Sequence, residues 1–240
     1  MNHIGAKILA ALRDATRLLT FRLSRDGFRS FNRNHLIVGL VFTWLVGTGR
    51  WWDDPGANLL QHLGIGSVVY VFVLAGVLWL VVSPFKPDNW RYAHVLTFVA
   101  LTSPPAILYA IPVERFTELS TAREINVWFL ATVAAWRVAL LLFYLRRSAR
   151  LSVLAVTVST LLPIMAIIAT LTILNLERAV FDIMGGLRES GTSNDSAYAI
   201  LAGLTFLSVL LVLPVFGLYL ATIIIGGRRR ETNEDRDMER

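Results

Sequence analysis

Apolar residues in this chain come in blocks rather than in alternation. Six stretches, about 35–49, 63–83, 93–112, 126–145, 151–174 and 198–225, are almost free of charge. A hydrocarbon layer of ~30 Å takes roughly 20 helical residues to cross, and the six stretches come near that length. A barrel strand would alternate apolar and polar positions over about ten residues. VVYVFVLAGVLWLVV (68–82) is instead apolar on every face. The pattern predicts an all-α, polytopic membrane protein with about six transmembrane helices and an N-terminal amphipathic helix. It divides into a basic segment 1–34, a single transmembrane domain 35–225 and a disordered tail 226–240.

The first stretch, HLIVGLVFTWLVGTG, is the shortest, and Arg50 follows it at once. Trp51 and Trp52 suit the headgroup level and lengthen its effective span. It reads as a crossing, with a re-entrant or interfacial segment as the alternative. Before it, Ile4, Ile8, Leu12, Ala15, Leu18, Leu19 and Leu23 share one helical face, with Lys7, Arg13, Arg17 and Arg25 opposite. That is a basic amphipathic helix, suited to an anionic leaflet or to docking a partner. Its poverty in acids also fits a mitochondrial presequence.

Charge sets the orientation. Lys and Arg are retained on the cytoplasmic side. Seven precede the first stretch, two lie in the 84–92 loop, three in the 146–150 loop and five in the tail. The remaining loops hold Arg50, Arg115, Arg123, Arg178 and Arg188. This asymmetry fits six crossings with both termini cytoplasmic, in a bacterial inner (plasma) membrane. The net charge of +6 is accounted for by topology, and no nucleic-acid partner is expected.

Between the spans, DDPGANLLQH (53–62) reads as a helix start, and Asp53, Asp54 and His62 match no metal-ligand spacing. LERAVFDIMGGLRES (176–190) reads as an interfacial helix, and Asn194 heads a glycosylation sequon. No cysteine is present, so no thiolate ligand or nucleophile is available. The sequence holds no H-E-x-x-H, no phosphate-binding loop, no G-x-S-x-G and no paired carboxylate within a span. His3, His35 and His94 are explained by interfacial packing. The expectation is a protein that is not an enzyme and has no cofactor or metal.

Two features inside the spans carry chemistry. Arg137, in VWFLATVAAWRVALLLFYLRR (127–147), is the one ionisable group near mid-depth. An arginine there costs roughly 2.5–3.5 kcal/mol on insertion scales, and no acidic residue lies in a span to pair with it. It is the candidate anion- or lipid-binding residue. Ala131, Ala135 and Ala139 form a small-residue seam on the other side of the same helix, suited to a close helix neighbour. Pro104, Pro105, Pro163 and Pro214 are candidate helix breaks, since each removes a donor and frees a carbonyl one turn earlier. Such breaks near the midplane mark substrate sites in secondary transporters. Pro104–Tyr109 and Pro214–Tyr219 share a P-x-x-x-L-Y pattern, which raises an inverted three-plus-three repeat.

RYAHVLTFVALTSPPAILYAIP (91–112) followed by VWFLATVAAWRVALLLFYLRRSARLSVLAVTVSTLLP (127–163) resembles bacterial members of the Yip-domain family of polytopic membrane proteins. The shared run is a basic residue before a small-residue, proline-containing span, then a span centred on Trp-Arg-Val, a short basic loop and a span with a mid-helix proline. That family usually has five spans, and a sixth with a long preceding loop is a departure. The resemblance implies a non-enzymatic, membrane-organising role that binds lipids, a membrane-protein partner or a second copy. The alternative from the residues alone is a small transporter or flippase-like protein that holds an anionic group at Arg137 beside the proline breaks.

Overall fold

A computed structural model describes residues 3–49, 59, 63–88, 90–173 and 195–238. The segments 53–62 and 176–190, and Asn194, lie outside these but for Leu59. The regular structure of the described residues is all helical, with no strand among them. The helices are α1 (His3–Leu19), α2 (Arg25–Arg29), α3 (Arg33–Thr48), α4 (Ile65–Val82), α5 (Tyr92–Leu101), α6 (Leu119–Arg147), α7 (Val153–Ile173) and α8 (Asp195–Met238). Three short 3-10 segments, Ser83–Phe85, Pro104–Ala110 and Val113–Arg115, join them.

Four helices are long and apolar enough to cross a membrane, and a fifth crossing is made if α5 and Pro104–Ala110 count as one span bent by 42°. The difference from six is α3. Its 16 residues reach about 24 Å, short of the hydrocarbon thickness. It nevertheless runs parallel to the broken span from Gly39 to its end. A Cβ on Gly39 would lie 2.8 Å from the Ala100 Cβ, Thr43 Oγ1 is 2.7 Å from Ser103 Oγ, and a Cβ on Gly49 would lie 2.6 Å from the Ala110 Cβ. Small residues let the two backbones close together, and at Gly39 the neighbouring atoms include the Ala100 carbonyl carbon and the Leu101 nitrogen, which cannot swing aside.

α4 runs the opposite way. Its start meets the end of α3, where Trp44 Nε1 donates to the Leu63 carbonyl at 3.0 Å. Gly64 takes φ +68 there, and a Cβ on it would lie 2.8 Å from the Thr48 nitrogen, so glycine is required on both counts. The end of α4 meets the start of α5, where Trp90 Nε1 donates to the Trp79 carbonyl at 3.1 Å. α6 returns, α7 leaves again, and α8 comes back to place the Tyr219 hydroxyl 2.8 Å from the Val81 carbonyl, which it donates to.

The N-terminal segment belongs to the bundle. Ser24 caps α2 by accepting from the Gly27 amide, and Asn32 caps α3 by accepting from Asn34; both satisfy orphan helix donors. The face expected to lie on lipid divides in two. Ala15, Leu18 and Leu23 join Ala11 in the core, while Ile8 and Leu12 remain exposed. Two alanines four residues apart allow α1 to close on α3, where Asp14 meets the buried His35 at 3.3 Å.

The tail also differs from expectation. α8 continues to Met238, 44 residues in all. The residues beyond Gly227 contain no proline and are rich in Arg and Glu, both good helix formers, so nothing in the backbone stops the helix.

Candidate functional site

Three segments meet at one end of the bundle. Asp88, in the α4–α5 loop, accepts from Arg25 of α2 at 2.7 Å, and Arg150, in the α6–α7 loop, lies 4.0 Å from the same carboxylate oxygen. Arg150 sits at φ +56, which turns the chain sharply between α6 and α7. Below this bridge lies an aromatic cluster. Tyr144 is 2% exposed and stacks on Phe98 with ring centres 4.2 Å apart and planes 9° from parallel. Phe28 packs against Tyr144 and Phe143, and Trp90 also packs against Tyr144, with ring centres 5.8 Å apart. Arg147 covers the Phe143 ring at 5.9 Å. The segments gathered here include the first three of those rich in Lys and Arg, so this is the basic end of the molecule. None of these partners was evident from the sequence, since Arg25 and Asp88 are 63 residues apart.

The proline positions behave differently from one another. Pro104 and Pro105 break their span. Two successive residues without a donor follow Thr102 and Ser103, and the chain tightens to a 3-10 turn. The carbonyl of Ala100, freed by Pro104, is covered by the Ser103 amide at 3.2 Å and faces Thr43 Oγ1 at 3.5 Å. That carbonyl therefore belongs to the α3–α5 seam. Pro163 and Pro214, expected as further breaks, lie inside continuous helices. A lone proline costs one hydrogen bond and a helix absorbs it with a kink. The P-x-x-x-L-Y pattern likewise takes two conformations, a 3-10 turn at Pro104–Tyr109 and regular helix at Pro214–Tyr219.

Arg137 lies on the inward stripe of α6. Val133, Leu140 and Tyr144 are buried at 2%, 0% and 2% exposure, and Arg137 falls between the first two in helical register. It is half-buried. Among the described residues it has no hydrogen bond, ion pair or ring contact. Its neighbour Trp136 does, donating to the Leu19 carbonyl at the end of α1 at 3.1 Å. Of the seam expected to receive another helix, Ala131 and Ala135 are exposed and Ala139 is half-buried.

A second set of unpaired groups lies on α7. Ser159 and Thr160 are 0% and 3% exposed, and neither hydroxyl has a hydrogen-bond partner. Elsewhere in this protein helical threonines donate back to the carbonyl four residues earlier, as Thr43, Thr97, Thr157 and Thr222 do. The carbonyl of Ser159 is also the one that Pro163 deprives of its donor.

No family model matches the chain, and no curated protein or solved structure matches it. Among the described residues no cluster of His, Asp or Glu is placed to hold a metal ion.

Proposed function

We propose that this is a non-enzymatic, membrane-organising protein that sits in a bacterial plasma membrane with its basic end on the cytoplasmic side and holds anionic lipid headgroups there. The observation that carries the reading is the meeting of Arg25, Asp88 and Arg150. It gathers at one end the first three of the four segments that charge counting assigns to the cytoplasm, and so agrees with an alternating topology in which α3 crosses beside α5. Arginines near an anionic surface contribute about 1 kcal/mol each, and α1 offers a basic flank with Ile8 and Leu12 exposed toward lipid. The Yip-like run over 91–163 supports the same role. The test is the thermal stability of the purified chain in mild detergent with added phosphatidylglycerol or phosphatidylcholine. Phosphatidylglycerol should raise Tm and phosphatidylcholine should not, and a triple Arg22→Gln, Arg29→Gln, Arg147→Gln protein should lose most of the rise. Equal responses to the two lipids would contradict the reading.

A second reading, a transporter-like protein that binds an anion within the bundle, is favoured by one observation. Arg137 is half-buried, in register with Val133 and Leu140 on α6, and has no partner among the described residues.

A further inference from the structure

Arg137 stands at the edge of the buried stripe of α6. At about 100° per residue, the buried Val133 and Leu140 lie to one side of it and the exposed Ala134 to the other. Its side-chain nitrogens are not sealed within the chain, so the guanidinium is open to the flank of the bundle. α1 does not cover that flank. Trp136, which is tied to the Leu19 carbonyl of α1, lies roughly 160° round the helix from Ala134. Only 17% of the apolar window of α6, Glu124–Arg147, is buried within the chain. Ala131, Ala134 and Ala135 are exposed there, and side chains this small let another helix come close.

The charge at this edge has no counterpart in the chain. Arg137 is about 20 Å of helix from Glu124 and about 15 Å from Arg147, and a charge held that far into an apolar span calls for a partner. Arg146 and Arg147 already occupy the nearer end. None of the six apolar stretches contains Asp or Glu, so a second copy would bring only another arginine to the same depth. The Ala100 carbonyl freed by Pro104 is held in the α3–α5 seam. A carboxylate matches the guanidinium fork in shape and charge. We propose that the Ala134–Arg137 edge of α6 docks a transmembrane helix of a different membrane protein, one that carries an Asp or Glu at the depth of Arg137. This rests on the membrane-organising reading and gives its partner a chemistry.

The experiment places the full chain in phosphatidylcholine vesicles with a synthetic single-span helix of Leu and Ala that carries Asp at its centre. Control helices carry Asn or Leu at that position. A donor dye on Phe116→Cys and an acceptor on the peptide report association by energy transfer. The Asp helix should associate at a peptide-to-lipid ratio roughly tenfold lower than the Leu helix. That preference should vanish in Arg137→Gln. It should also vanish in Ala134→Phe, which keeps the charge, changes an exposed position and blocks close approach. Equal transfer from the Asp and Leu helices, the result expected if Arg137 holds a lipid phosphate instead, overturns the proposal. So does a preference that survives in Arg137→Gln or in Ala134→Phe, and so does an Asn helix that associates as well as the Asp helix. Phosphatidylglycerol is absent here, so a failure leaves the lipid reading to its own test.

Discussion

Phe28 is 1% exposed, yet it comes from a five-residue helix in a segment that composition marks as basic and peripheral. Its ring meets Phe31, Phe143 and Tyr144. Replacing a buried phenylalanine with alanine removes its transfer energy and leaves a cavity, together ~3–5 kcal/mol. Phe28→Ala should therefore lower the unfolding free energy by about that amount, read by denaturant or thermal unfolding, whereas an equal change at the exposed Phe21 should cost far less. A segment merely resting on the membrane would show no such difference. The sequence could not announce this contact, because an aromatic near a basic cluster also suits the headgroup level. In the structure the segment turns back at the Ser24 cap and packs through Ala11 and Ala15.

Helices were the most legible level, and the reason is physical. A span must be apolar around its whole circumference, so its signal is composition over 20 residues and needs no partner to be read. All six expected stretches are largely helical where they are described, the third of them broken at Thr102 and Ser103. What composition could not settle is whether a helix as short as α3 crosses; the structure shows that it packs against α5. Proline was legible as a cost but not as an outcome. The Pro104–Pro105 pair ends a helix, while Pro163 and Pro214 do not. Arg137 was found from sequence because charge in an apolar run stands out. Ser159 and Thr160 were not, because hydroxyls in membrane helices usually bond their own backbone. Between elements, the bridge from Arg25 to Asp88 is partly exposed, with side chains 26% and 51% accessible, so its coupling should be modest. A double-mutant cycle with Arg25→Gln and Asp88→Asn should give ~0.2–1 kcal/mol, shrinking as salt rises. A coupling of zero at low salt would remove the bridge as a fastener of the N-terminal segment.

At the scale of the molecule, chain direction alternates from α3 to α8, and the basic segments from the first 33 residues, the 84–92 loop and the 146–150 loop return to one end. α8 packs chiefly along α7, and only 6% of its apolar window is buried within the chain, as expected for a helix whose other faces meet lipid. The opposite end carries the end of α3, the start of α4 and the segment before α6, where Phe116 is 78% exposed. The central claim is that these two ends lie on opposite sides of a membrane, the basic one inside. The chain has no cysteine, so a single introduced thiol reports without background. Asp26, with its side chain 91% exposed, marks the basic end and Phe116 the other. With a membrane-impermeant maleimide on intact cells, the Phe116→Cys protein should be labelled at once and the Asp26→Cys protein only after permeabilisation. Labelling of both from the same side, or of Asp26→Cys alone in intact cells, would contradict the account.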